Sequence, residues 1–245
     1  MQTQALIVRG RRVAIGMLTR ARRRIFTRIE PVTSRPDVEF LGTDYGGWLV
    51  AVHPSLQGGV CYSAGIGEDA SFDRALIART GCTVYGFDPV PRVAEYVAHE
   101  FSDESRFVFS PVGLWSRDTE LTFFKPEFEG WVSHSAIDFR HTGAAFTAAV
   151  RTVPSLMREF GHHHLNLLKL SVEGAQFAVL DSVLSEGIPV DQVLVEFTPP
   201  VALRATRAQC ARLRNAGYDY VGGRLQVWGW KCTFVRRDLA SASQA

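Results

Sequence analysis

Short apolar runs exchange along this chain with stretches in which apolar residues recur every three or four positions, the pattern of strands alternating with helices. Residues 60–63 combine a β-branched and an aromatic side chain and predict a buried parallel strand. From Ser71 onward Phe72, Ala75 and Leu76 share one helical face, Asp73, Arg74 and Arg79 lie largely off it, and Gly81 ends the run. A strand over 83–87, a helix over 92–101 begun by Pro89 and Pro91, and a strand over 107–110 follow. Residues 112–115 and 121–126 flank a polar stretch at 116–119, which predicts a hairpin inserted in the α/β pattern. Residues 148–153 read as a strand leading into a short helix over 154–160. The nearly continuous apolar run at 165–172 suits a parallel strand buried on both faces. Behind it a helix over 175–184 packs through Phe177, Leu180 and Leu184, and a strand over 192–197 is broken by Thr198-Pro199-Pro200. A long helix over 202–216 precedes a closing strand pair within 218–235, joined by a glycine turn at Gly222 and Gly223.

This pattern divides the chain into a basic arm (1–30), a linker with a lead-in hairpin or lid (31–58), one main α/β domain (59–237) and a short tail (238–245). The second piece carries Pro31, Pro36, Gly42, Gly46, Gly47 and Pro54, with extended candidates at 40–41 and 48–52. With 245 residues and 46% hydrophobic content, one domain with a sizeable core accounts for the length. The formal charge of +2 is unevenly spread: residues 1–30 hold eight arginines and one acid, which leaves the remainder at −5. Overall charge therefore argues against nucleic acid as a partner. Within the arm, Met17, Ala21, Ile25 and Ile29 share a helical face ringed by Arg20, Arg22, Arg23, Arg24 and Arg28. Such a helix suits peripheral contact with an anionic membrane surface, a solvated arm on the domain, or a cleaved targeting peptide, and the sequence leaves all three open. Cys61, Cys82, Cys210 and Cys232 are widely spaced without a C-x-x-C pair, which favours a reducing compartment over a structural zinc site. No apolar run reaches the length of a membrane span, and residues 13–18 are too short for a secretory signal. The expectation is a cytoplasmic protein, membrane-peripheral if the arm binds lipid; its oligomeric state is not encoded in any pattern here.

The candidate chemistry centres on the turn after the first predicted strand of the main domain. Gly65, Gly67 and Ala70 make a G-x-G-x-x-A spacing between strand and helix, where glycines allow a sharp turn and close approach of a ligand to the backbone. Asp88 lies 21 residues after Gly67 at the end of the next strand, where an acid can accept bonds from ribose hydroxyls. The competing reading is an ordinary strand-to-helix turn with a helix-capping aspartate. His162, His163 and His164 invite a metal, but adjacent residues point apart and seldom converge on one ion, so a solvated loop is expected and no metal. Residues 126–145, rich in Gly, Ser, His and aromatics, are the expected substrate-facing loop. A dinucleotide fold would repeat a second half of parallel strands, as an NAD-dependent oxidoreductase would need. The terminal hairpin instead implies an antiparallel last strand, which resembles the arrangement of class I methyltransferases.

Residues 63–73, Phe87-Asp88-Pro89, residues 168–175 and Val195-Glu196-Phe197 together resemble the FkbM family of methyltransferases, in order and over about residues 55–237. The resemblance implies a Rossmann-like class I methyltransferase sandwich, with a mostly parallel seven-stranded sheet and an antiparallel terminal hairpin. It also implies S-adenosylmethionine as cofactor and methyl transfer to a hydroxyl of a sugar, a glycan or a secondary metabolite. Carried over, Gly65 and Gly67 line the methionine and ribose portion, Asp88 holds the ribose, and Pro111, Val112 and Gly113 lie near the adenine. Glu68 and Asp69 reach the cofactor's amino group or the substrate, and Ser63, Ile66, Pro89 and Ser171 complete the cofactor-binding set. Two departures stand out: where the family usually has Lys-x-Asp-x-Glu-Gly-x-Glu, this chain has Ser171 for the Asp and Gln176 for the second Glu, and Thr198 replaces a frequent His. Candidates for a general base are Glu173 and Glu196 at strand ends and His134 in the long loop, each with a structural alternative as a brace or a solvent-facing group. Trp115, Phe123, Phe124, Phe128 and Trp131 are aromatics able to stack on an acceptor ring, or core. The expected activity is O-methylation of a small-molecule or glycan acceptor, the alternative an S-adenosylmethionine-binding protein without transfer.

Overall fold

The computed structural model describes residues 21, 30–124, 135, 144–198, 203–226 and 229–239, so most of the predicted arm and tail lie outside the described residues. The chain enters through a hairpin, β1 (Val38–Leu41) and β2 (Trp48–Ala51), paired antiparallel. It continues through β3 (Val60–Ala64), α1 (Ser71–Thr80), β4 (Thr83–Phe87), α2 (Pro91–Glu100), β5 (Phe107–Ser110), β6 (Gly113–Leu114), β7 (Thr119–Phe124) and β8 (Ala144–Arg151). Then come α3 (Val153–Phe160), β9 (Leu167–Leu170), α4 (Gln176–Ser185), β10 (Gln192–Phe197), α5 (Leu203–Asn215), β11 (Tyr218–Leu225) and β12 (Trp230–Arg236).

Seven of these strands form one sheet in the order β11-β12-β10-β9-β3-β4-β5. β5, β4, β3, β9 and β10 run parallel, and β12 is antiparallel to both β10 and β11. The expected α/β class and antiparallel terminal hairpin are present. Side chains alternate cleanly between faces, as a strand's period of two requires. Tyr62, Leu168, Leu170, Val193 and Val195 enter a core that includes residues of α3, α4 and α5. Cys61, Val84, Leu167 and Leu194 enter the other, with α1, α2, Trp48 and Val50. A sheet covered on both faces in this way explains why β9 reads as continuously apolar.

Two expectations about pairing are corrected. Residues 112–115 and 121–126 do not form a hairpin with each other: β8 lies between them, parallel to β6 and antiparallel to β7, in a separate three-stranded sheet. The periodicity was right for strands but carried no information about a partner more than twenty residues away. Gly222 and Gly223 are not the turn of the terminal hairpin either. They lie inside β11, where the register shifts between Tyr220 and Gly222, and the strands are joined through residues 226–229. A Cβ on Gly222 would stand 3.2 Å from Leu49 Cδ1 and its φ is +142°, so glycine here admits β2.

The hairpin is docked on the sheet through a polar ladder. Gln192 Oε1 accepts from Ala51 N at 3.0 Å and its Nε2 donates to Ala51 O at 2.7 Å. Thr233 Oγ1 donates to Leu49 O at 2.6 Å, and Lys231 Nζ to Gly47 O at 3.3 Å. These side chains stand in for the neighbouring strand that β2 lacks, so its buried backbone groups do not go unpaired.

Candidate active site

Because β4, β3, β9 and β10 run parallel, their C-terminal ends meet at one rim, the usual place for a ligand in an open α/β sheet. Gly65 and Gly67 follow β3 with φ of +75° and +61°. A Cβ on Gly65 would fall 2.1 Å from Ser171 O, so glycine is required there both by conformation and by the backbone pressed against it.

Asp88 closes β4 and is 5% exposed. Its Oδ2 accepts from Ile66 N at 3.0 Å and Gly67 N at 3.1 Å, and its Oδ1 accepts from Val90 N at 3.0 Å. The residue expected to hold a ribose thus first holds the glycine loop itself. A carboxylate has about four lone-pair directions, which leaves one for a ligand. Burial raises its pKa, against the lowering effect of the three N–H groups and Lys169.

Beneath the loop lies Lys169, 3% exposed, donating to Ser63 Oγ at 3.1 Å and Gly65 O at 3.2 Å. Asp73 Oδ2, from α1, is 3.9 Å from its ammonium. Asp73 is fully buried and accepts no hydrogen bond among the described residues. The pair brings a charge balance under a turn whose carbonyl it fixes.

Across the rim a polar row runs through adjacent strands. Ser63 pairs with Lys169 and Leu194 with Lys169, so two residues on Gly65, Ser171 and Glu196 line up. Ser171 Oγ donates to Glu196 Oε2 at 2.8 Å, and Glu196 pairs directly with Lys231 across β10 and β12. The hydroxyl that replaces the expected acid is therefore a donor to the next acid in the row. Where a Cβ on Gly229 would stand, Glu196 Oε1 is 2.7 Å away, so the glycine leaves that oxygen room.

Lys231, which no motif in the sequence singles out, also stands at this rim. It is 6% exposed, and its Nζ donates to Tyr45 O at 2.6 Å while lying 4.9 Å from the Trp48 ring. Desolvation pushes its pKa down to about 8, partly offset by Glu196 and reinforced by Lys169. Between that pH and the ordinary lysine range the unfolded chain holds a proton that the folded protein has released, so stability from this group rises with pH. The expected gain is about 3 kcal/mol at most. Urea unfolding at pH 7.5 and 10 checks this: the wild type should gain relative to Lys231→Met, and a relative loss would contradict it.

The other candidates are placed as follows. Glu68 pairs at the surface with Arg92 Nε at 2.5 Å. Asp69 Oδ2 accepts from Thr43 Oγ1 at 2.6 Å and Gly46 N at 3.1 Å, and its Oδ1 from Ser71 N at 3.1 Å. Burial would raise the Asp69 pKa, but these bonds outweigh it and hold the carboxyl below its ordinary range. Asp69 thus ties the β1–β2 turn to the start of α1. Pro89 packs beside Gly113, whose missing Cβ would stand 3.5 Å from Pro89 Cγ. Pro111 is exposed and Val112 half-buried at that edge. Glu173 is half-buried, and its carbonyl accepts from Ser135 Oγ at 2.9 Å, which brings one residue of the expected substrate-facing loop to the rim. His134 lies outside the described residues. His162 and His164 turn to different partners, Tyr62 and Asp191. Among the described residues no helix is long and apolar enough to cross a membrane.

Comparisons with known proteins bear on the family of this chain. The profile of the methyltransferase FkbM domain matches residues 60–220. A human protein described as probable methyltransferase-like protein 24 is 26% identical over 127 residues, 52% of this chain and 28% of that one. Its rat counterpart is 27% identical over 127 residues, 52% of this chain and 29% of its own length. The chain thus spans under a third of the length of these curated relatives. Among solved structures, an FkbM methyltransferase from Methylobacillus flagellatus KT superposes with a TM-score of 0.47 at 14% identity, covering 73% of this chain and 43% of that one. With the domain profile spanning most of the chain from β3 into β11, this protein belongs to the FkbM methyltransferase family.

Proposed function

We propose that the chain transfers a methyl group from S-adenosylmethionine to a hydroxyl of a sugar, glycan or secondary metabolite. The observation that carries this reading is the polar row Gly65–Ser171–Glu196 beside a glycine loop locked by Asp88. The fit to the cofactor is favourable. Gly65 and Gly67 leave their backbone bare of Cβ atoms, and Asp88 keeps one acceptor direction at a strand end suited to ribose. Pro111, Val112 and Gly113 form the edge available to the adenine. The bound sulfonium supplies an already activated methyl group.

The chain's own work is then to orient the acceptor oxygen, exclude water and take a proton. Glu196 is the base this reading selects. Its Oε2 is fixed by the Ser171 hydroxyl, which leaves Oε1, over Gly229, to receive the acceptor's proton. Glu173, with Ser135 on its carbonyl, lies on the side of the expected substrate loop and orients the acceptor.

Calorimetry with S-adenosylmethionine comes first, and absence of binding would defeat the proposal. Mass spectrometry of methylated products over a panel of glycans and hydroxylated metabolites follows. Glu196→Gln should keep cofactor affinity within about twofold while lowering turnover by roughly a hundredfold, the usual scale of a lost general base. A specific observation favours a second reading, cofactor binding without transfer: Ser171 and Thr198 stand where the family pattern has an acid and a histidine. Tight binding with no product from any hydroxyl acceptor would select it.

A further inference from the structure

The family match begins at residue 60 and ends at residue 220, so the β1–β2 hairpin and β12 both lie outside it. Contacts between them nevertheless close a circuit around the rim. Gly65 lies against Ser171 O, Ser171 bonds Glu196, and Glu196 faces Lys231. Lys231 Nζ reaches Tyr45 O and Gly47 O at 2.6 and 3.3 Å. Thr43 Oγ1 and Gly46 N return the circuit to Asp69, two residues after Gly67. Gln226 Nε2 adds a bond to Tyr45 O at 2.7 Å, and Arg224 a contact with Asp44 Oδ1 at 3.2 Å.

Residues 43, 44 and 45 are exposed, with Tyr45 at 68%, so little apolar burial holds this turn in place. Polar contacts do, and the central one comes from a lysine inside the sheet. Burying an ammonium is costly unless its donors are satisfied. Lys231 directs its donors to carbonyls of the turn, although an apolar side chain of similar length would fill the same space in the sheet without that cost. Desolvation, followed by the charges of Glu196, Glu173 and Asp69, raises the Tyr45 phenol.

We propose that residues 43–47 form a wall of the cofactor and acceptor site and that Lys231 is the positioning residue that holds this wall. The inference rests on S-adenosylmethionine being the ligand. Its test measures, in the full chain, deuterium exchange of residues 43–47 and the dissociation rate of S-adenosylmethionine for wild type, Lys231→Met, Lys231→Arg and Thr43→Val. Lys231→Met and Thr43→Val should each raise exchange in the turn and speed dissociation about tenfold. Lys231→Arg, which keeps charge and donors, should recover part of both. Thr43 is exposed, so Thr43→Val folds normally and carries the test should Lys231→Met not fold. Faster exchange with unchanged dissociation overturns the wall, and unchanged exchange overturns Lys231 and Thr43 as its anchors. A wild type that binds no S-adenosylmethionine removes the functional reading together with the wall. A wild type that binds no better than its variants removes the wall alone.

Discussion

Asp88→Ala weakens S-adenosylmethionine binding by roughly a hundredfold or more and lowers folding stability by about 2–4 kcal/mol. Both effects follow from one carboxylate serving two purposes. In the free protein it is the acceptor for Ile66 N, Gly67 N and Val90 N. Truncation leaves three N–H groups without that acceptor at a site only 5% exposed for the residue that served them, and an unmet buried donor costs about 1–3 kcal/mol. Part of that loss is offset because the wild-type carboxylate is itself desolvated, which burial registers as a raised pKa. The binding loss is larger in effect, since the loop that would approach the cofactor loses its shape and the ribose loses its acceptor. Calorimetry and urea unfolding on the same preparation read the two effects. Asp88→Asn separates them: one oxygen remains, so either the pair of loop N–H groups or Val90 N keeps its acceptor, but not both. A Asp88→Ala protein that binds S-adenosylmethionine like wild type would remove Asp88 from the site.

Gly65→Ala costs at least about 3 kcal/mol, and the protein is expected to be largely insoluble. The left-handed φ of +75° accounts for about 1 kcal/mol of this. The larger share is steric, because the new methyl would sit 2.1 Å from Ser171 O and 2.7 Å from Ser171 C. Those are backbone atoms at the end of β9, which is bonded to β3, so the clash is relieved only by parting two central strands. Gly81→Ala is the control. It has a similar φ of +66° with no atom within 4 Å of its notional Cβ, and should cost only about 1 kcal/mol. Equal urea midpoints for the two variants would show that the rim of β3 and β9 is softer than its geometry.

Much of the site was legible because its parts are local in sequence. A strand, a two-glycine turn and a helix occupy consecutive residues, and an acid at the end of the following strand is found by counting. The order of alternating elements foretold the parallel sheet, and the absence of a helix between the last two strands foretold their antiparallel pairing. What failed was pairing at a distance: periodicity gives a strand's faces but not its neighbour, so β8 was not foreseen between β6 and β7. Asp69 illustrates the same limit from the other side. Its position beside the turn suggested a ligand contact, whereas the bonds it accepts from the hairpin's Thr43 and Gly46 come from residues that no local pattern sets beside it.

Lys231 marks the boundary most clearly. In Trp230-Lys231-Cys232-Thr233-Phe234-Val235 the alternation that puts Lys231 and Thr233 on one face is visible, but it does not say what covers that face. Only the docking of the β1–β2 hairpin buries that face and receives the donors of Lys231, while the insertion of β12 between β10 and β11 sets Lys231 opposite Glu196. By itself the sequence determined the glycine loop, the acid that braces it and the class of fold, because those depend on local backbone preferences and on the period of burial. The tertiary structure alone decided which groups share the rim, because the energy of a buried charge depends on partners that lie 35 and 186 residues away along the chain.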